Sequence, residues 1–148
     1  MIIHDKKLFR LLSFTWGLPM TFVGCVAAMI LTAMGHKPKK WGHCYYFEVG
    51  HGWGGIELGA FFIVNKNPSE YIRNHELGHG FQNCLLGPLM PFVVSIPSAI
   101  RYWNRKRLVK SGKKEPQELP NYDSAWFEGS ATSLGTEFMN WYNTQQND

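Results

Sequence analysis

The sequence predicts an α+β fold of one domain over residues 1–148. Its parts are a β-hairpin, a helix carrying paired histidines, a later helix carrying a carboxylate, and one or two apolar, membrane-associated helices. Three observations predict it. An uncharged run extends over 22 residues from Phe14 to Gly35. Two β-favouring stretches flank a glycine-rich turn. A segment near residue 70 has both a helix start and a helix stop.

The apolar run follows a short basic segment with Lys6, Lys7 and Arg10. It is long enough for a membrane-crossing helix, which needs about 20 residues. Gly17 and Pro19 point to a bent start or a re-entrant shape. A cleaved signal peptide and a buried core helix are the rival readings, and the run exceeds a usual signal h-region. After a basic loop, His36 to Trp41, Cys44 to Val49 reads as one strand and Ile56 to Val64 as a second. Gly50, Gly52, Gly54 and Gly55 mark the turn between them, so the pair reads as a hairpin.

Asn67-Pro68-Ser69-Glu70 opens a helix, with Asn67 as the cap, and Gly87-Pro88 closes it near Leu86. Leu85 to Ile100 is a second uncharged stretch. It is too short and proline-rich for a straight crossing, so it reads as re-entrant, interfacial or core. A basic cluster from Arg101 to Lys114 follows, read either as a solvated loop or as a contact for anionic headgroups. Residues 111–122 read as loop. Asp123 or Ser124 would cap a last helix ending near Asn143, with a frayed tail. The core carrying the site is expected over residues 44–143.

Charged residues make up 18% of the chain, below the roughly 25% of soluble domains. The net charge is +4 and the isoelectric point about 9.0. No recognition helix, zinc finger or aromatic-basic platform accompanies that charge, which argues against nucleic acid as a partner. Lipid is better motivated, because the basic residues flank apolar segments. Cys25, Cys44 and Cys84 are odd in number and contain no CxxC pair, so neither a disulfide framework nor a cysteine-zinc site is expected. Cys25 and Cys84 read as small buried hydrophobes.

The chemistry lies in His75-Glu76-Leu77-Gly78-His79, an HExxH pattern. Histidines four apart on a helix share a face, so both imidazoles can reach one cation. The nitrogen-rich set without cysteine suits Zn²⁺. Glu76, beside the first histidine, can take a proton from an activated water as a general base. Gly78 and Gly80 are unfavourable inside a helix, which implies something packed closely on that face. A third ligand is needed, from His36, His43, His51, Asp123 or Glu128. Glu128 fits best, because Ala131, Thr132 and Gly135 extend a small-residue face from it, and a carboxylate buried there needs a partner. His51 is the reserve ligand.

A helical HExxH with a downstream helical glutamate resembles the gluzincin type of zinc metallopeptidase. The chain more closely resembles a family of small, uncharacterised bacterial membrane proteins. The matching pieces are Trp16-Gly17-Leu18-Pro19, Gly54 to Gly59, His75 to Gln82, Leu86-Gly87-Pro88-Leu89, Ile96-Pro97-Ser98 and Glu128 to Gly135. The resemblance implies a zincin-like arrangement with Glu128 as third zinc ligand, in a membrane such as a bacterial inner membrane. It implies no substrate. Family members commonly carry an aromatic residue where this chain has Ser130.

The expected activity is zinc-dependent hydrolysis of a peptide or protein, with Glu76 as base. Tyr122 or His51 would stabilise the oxyanion, and Asp123 would support the ligands. The second strand could pair with an extended substrate. Two other classes stay open: a non-catalytic membrane protein with a structural zinc, favoured if His43 or His51 is a fourth ligand, and a lipid- or nucleic-acid-binding module built on residues 101–114.

Overall fold

The computed structural model describes residues 2–147 and is an α+β fold with a small mixed sheet. The uncharged N-terminal run does not form one helix. α1 (Lys6–Phe14) ends where the run begins and α2 (Leu18–Ala33) holds most of it, and the two helices meet at 94°. Asp5 caps α1 by accepting from Leu8 N. Pro19 lies in the first turn of α2, where its missing N–H costs nothing, so the chain can restart as a helix there. At 16 residues, α2 is about 24 Å long, short of a hydrocarbon core of about 30 Å. Among the described residues no single helix is long and apolar enough to cross a membrane.

α2 is packed in an unusual sense. Its protein-facing stripe buries the small residues Thr21 and Gly24, while Phe22 (61% exposed) and Met29 (65%) point outward with Val23, Val26 and Ile30. Water-soluble helices place their large apolar residues inward.

The expected hairpin between Cys44–Val49 and Ile56–Val64 is not what forms. The second stretch is itself a hairpin. β3 (Gly55–Leu58) and β4 (Phe61–Val64) are antiparallel, with Leu58 opposite Phe61 across the two-residue turn Gly59-Ala60. Gly59 has φ 73°, a conformation that glycine supplies freely at the first position of such a turn. β2 (Cys44–Glu48) then pairs parallel with β4, and β1 (Lys39–Trp41) pairs antiparallel with β2. The order β1-β2-β4-β3 leaves β3 at one edge.

α3 (Glu70–Leu86) crosses the sheet and is buried continuously from Asn74 to Cys84. Its cap is Ser69, whose Oγ accepts from Ile72 N at 3.2 Å, and not Asn67. Asn67 has φ 53°, whereas a capping residue needs extended backbone. Gly87, at φ 55°, ends the helix as expected. The Leu85–Ile100 stretch continues through a 3₁₀ turn (Gly87–Leu89) and a π-helical turn (Pro91–Ser95) into α4 (Ile96–Lys110). Most of the basic cluster therefore sits on a helix and not in a loop. After 3₁₀ turns at Pro116–Glu118 and Tyr122–Ser124, α5 (Trp126–Asn147) starts later than expected and stays helical through the tail.

Phe9, Phe62, Leu77, Phe81 and Phe138 form the centre of the core between the sheet, α1, α3 and α5. Cys84 is buried there, while Cys25 is only half-buried on α2.

Candidate metal centre

α3 and α5 carry the site, and their closeness makes it. A Cβ built on Gly78 would lie 1.7 Å from Ala131 O, and one on Gly135 would lie 1.7 Å from Asn74 O. The two backbones touch where any larger residue would hold them apart. This is the close packing that the glycine beside His79 implied.

The crossing brings His75, His79 and Glu128 together, all three buried. Their donor atoms form a nearly equilateral triangle. His75 Nε2 is 3.0 Å and His79 Nε2 is 3.2 Å from Glu128 Oε2, and the two Nε2 atoms are 3.1 Å apart. A tetrahedral ion with ligands at 2.0–2.1 Å sets neighbouring donors about 3.3 Å apart. The group can hold a metal ion with little rearrangement.

Supporting hydrogen bonds turn the rings into ligands. Gln82 Nε2 donates to Phe127 O at 2.7 Å, so its carbonyl oxygen faces His79 Nδ1, also at 2.7 Å. His79 Nδ1 therefore carries the hydrogen. Thr132 Oγ1 donates to Asp123 Oδ1 at 3.1 Å and is left to accept from His75 Nδ1 at 2.8 Å. Tyr71 OH donates to the same Asp123 carboxylate. Both Nε2 atoms are thus aimed at Glu128 in the orientation that metal-binding histidines need. Ser98, on α4, donates to Glu128 Oε1 and fixes the carboxylate from the other side.

Electrostatics follow from burial. Burial alone would raise the Glu128 carboxyl, but the bonds from His75, His79 and Ser98 hold it well below the usual range. Burial would lower His79, yet its bond to Glu128 and the nearby Glu76 and Glu57 push it up to about 9. Glu76 is raised by desolvation, against the pull of the two histidines. Its carboxylate lies against Gly55, where a Cβ would sit 2.7 Å from Glu76 Oε1. Only glycine lets this end of β3 approach the carboxylate. Glu57 is buried and accepts from Gly59 N within its own turn; desolvation raises it to about 8.

A cavity of about 660 Å³ and a second of about 230 Å³ both reach this centre, and His75, Glu76 and Tyr122 line both. Such volumes fall in or near the range of small-ligand sites. The Tyr122 OH lies 3.4 Å from Ser98 Oγ, and burial raises its pKa. Asp123 supports His75 through Thr132 and is not in the triangle.

His51 is a correction. It is exposed in the glycine loop between β2 and β3, where Gly50 and Gly52 adopt φ 68° and 63°. His51 joins neither the triangle nor the residues that line the two cavities, so the third ligand is Glu128 and not this reserve. His43 is buried elsewhere. Its Nε2 is 3.2 Å from Ile3 O and 3.0 Å from His4 O, and its ring packs on Phe9 and Phe138. Half-buried His36 follows the end of α2 and does not join the triangle either.

Sequence reasoning missed the roles of Gln82, Ser98, Glu57 and Tyr71. Gln82 had a signal, since it follows His79 by three on the same helix face. Ser98 and Glu57 had none, because only the tertiary fold brings α4 and β3 to the centre. Comparison with protein-family models, with curated proteins and with solved structures finds no match for this chain.

Proposed function

We propose that this chain is a membrane-docked zinc metallopeptidase of gluzincin type. The observation that carries the reading is the His75–His79–Glu128 triangle with Glu76 beside it at a cavity wall. Zinc bound there supplies a Lewis acid that acidifies a water and polarises a carbonyl. The protein does the rest. Glu76 accepts the water proton and passes it to the leaving amine. Tyr122 OH offers a donor to the developing oxyanion. The free edge of β3 takes an extended peptide by main-chain pairing.

A closed structural zinc site usually has four protein ligands. The triangle offers three, and neither His43 nor His51 joins it, which favours catalysis over a bracing role.

Lipid is the second partner. Trp16 Nε1 donates to Leu85 O at 3.2 Å and Ser95 Oγ reaches Met20 Sδ at 3.9 Å. These contacts join the outward apolar residues of α1 and α2 to Leu89, Phe92 and Ile96, which are also exposed. Small residues inward and large ones outward is the packing that lipid permits. Shape and length favour docking into one leaflet by bent segments.

Metal analysis of purified protein tests the centre: one zinc per chain is expected, and Glu128→Ala should lose it. Glu76→Gln should keep zinc and abolish peptide hydrolysis. Full activity in Glu76→Gln would overturn the assigned base.

A further inference from the structure

The two cavities meet at the metal centre and differ in character. Arg105, Lys106 and Lys110, all on α4, line the larger one. Among the described residues these three cations have no carboxylate within ion-pair distance. Arg105 donates to Pro120 O, and Lys106 Nζ lies 5.7 Å from the rings of Tyr102 and Trp103. Glu118, on the neighbouring turn, is engaged with Glu115 N at 2.8 Å. The smaller cavity has no lysine or arginine in its lining, and beside Glu57, Glu76 and the two histidines it is lined by Met20, Ile56, Met90, Val94 and Trp103. Met20, on α2, places it beside the outward apolar surface. Gly55 and Glu76 belong to both.

β3 orders these halves. Gly52 and Gly54, just before it, line the basic cavity, and Ile56 and Glu57, within it, line the apolar one. A strand added to the free edge of β3 in the commoner antiparallel sense runs from the apolar half to the basic half.

We infer that the substrate is an extended polypeptide with apolar residues before the scissile bond and acidic residues after it. The inference rests on the peptidase reading for the bond itself, and on cavity chemistry for the preference. The apolar half enters beside the lipid-facing surface, and the acidic half meets the unpaired cations of α4.

The test uses the full zinc-loaded chain in neutral detergent micelles and synthetic peptides sharing one apolar amino-terminal half of Val, Leu and Phe. The second half carries Asp and Glu, or Lys, or the two halves exchange order. Binding is read by fluorescence anisotropy with Glu76→Gln, and cleavage by mass spectrometry of wild-type products. The apolar-then-acidic peptide should bind about tenfold tighter than the Lys peptide. Lys106→Glu with Lys110→Glu should remove or reverse that ratio while zinc content stays unchanged, and the milder Lys106→Gln with Lys110→Gln should reduce it.

Equal binding of acidic and basic peptides, or a ratio unmoved in both double variants, overturns the inference. So does better binding of the exchanged-order peptide. Cleavage without charge or order preference overturns it while leaving the peptidase reading intact. Selective binding with no cleavage by wild type leaves it standing and removes the peptidase reading.

Discussion

Gly78→Ala isolates the contact on which the metal centre depends. On an exposed helix, replacing glycine by alanine gains up to about 1 kcal/mol from propensity alone. Here the new methyl would stand 1.7 Å from Ala131 O, whereas ordinary contact begins at 3.4 Å. α3 and α5 must therefore part by about 1.7 Å. Ala131 is one helical turn from Glu128, so the carboxylate moves with it. Metal–ligand distances tolerate only about 0.2 Å, and the displacement exceeds this several-fold. Overpacking of this kind costs about 1–3 kcal/mol, more than propensity returns. The variant should be destabilised by about 1–2 kcal/mol on this balance and should bind zinc at least a hundredfold more weakly. Thermal unfolding with and without zinc, beside competition with a chromophoric chelator, reads both quantities. Gly80→Ala is the internal control. Its methyl would meet Cys44 Sγ at 3.2 Å and Gly59 O at 3.3 Å, so shifts of tenths of an ångström suffice and zinc affinity should change much less. A Gly78→Ala protein that is more stable and binds zinc as wild type does would refute the argument that backbone contact sets the triangle.

Thr132→Val keeps side-chain volume but removes the acceptor for His75 Nδ1; zinc affinity should fall about 10–100-fold with the fold retained, as chelator competition and circular dichroism would show. For His79, held at about 9 against an ordinary 6.5, the metal-free protein gains stability that is fully present below pH 6.5 and is lost as pH rises through 9. Glu57, at about 8 against 4.5, acts in the same sense, because the unfolded chain releases that proton first. Metal-free protein should thus lose stability steadily from pH 5 to 9, and denaturant titrations that show a rise instead would contradict it. Zinc binding at pH 7 should release at least one proton, that of His79, with any further release coming from the buried carboxyls, measurable by calorimetry in buffers of differing ionisation enthalpy. Phe22→Ser with Met29→Ser should abolish flotation with phospholipid vesicles and leave zinc content unchanged; undiminished flotation would remove α2 from the lipid contact.

How much of this was legible in the sequence depends on the range of the interaction involved. α3 could be read closely, since its stop at Gly87 and the His75/His79 spacing are local. The cap was misread by two residues because Asn67 looks like a cap until its backbone is seen in the left-handed region. The meeting of Glu128 with the histidines was legible through the small residues at 131, 132 and 135, a pattern that needs a neighbour at close range. The sheet was not. Parallel pairing of β2 with β4 depends on non-local contacts, and the Gly59-Ala60 turn is hidden inside an apolar run that reads as one strand. The break between α1 and α2 was signalled by Gly17 and Pro19, but its 94° angle was not, since α1 packs on α3 and α2 on β3 and β4. Glu57 gave no sign of its burial, since alternation in a short strand does not say which face is covered.

The burial of Glu57, Glu76 and Glu128 around two imidazoles has its own logic. Desolvation pushes Glu57 and Glu76 upward, whereas the bonds from His75, His79 and Ser98 hold Glu128 down. A divalent cation held by the triangle would favour the ionised form of each nearby carboxylate, Glu76 included, and would require His79 to give up a proton. On the proposed reading the metal would thus favour the form of Glu76 that can act as a base, and the burial of excess carboxylate is a reason to read this triangle as a cation site and not as a hydrogen-bonded core triad.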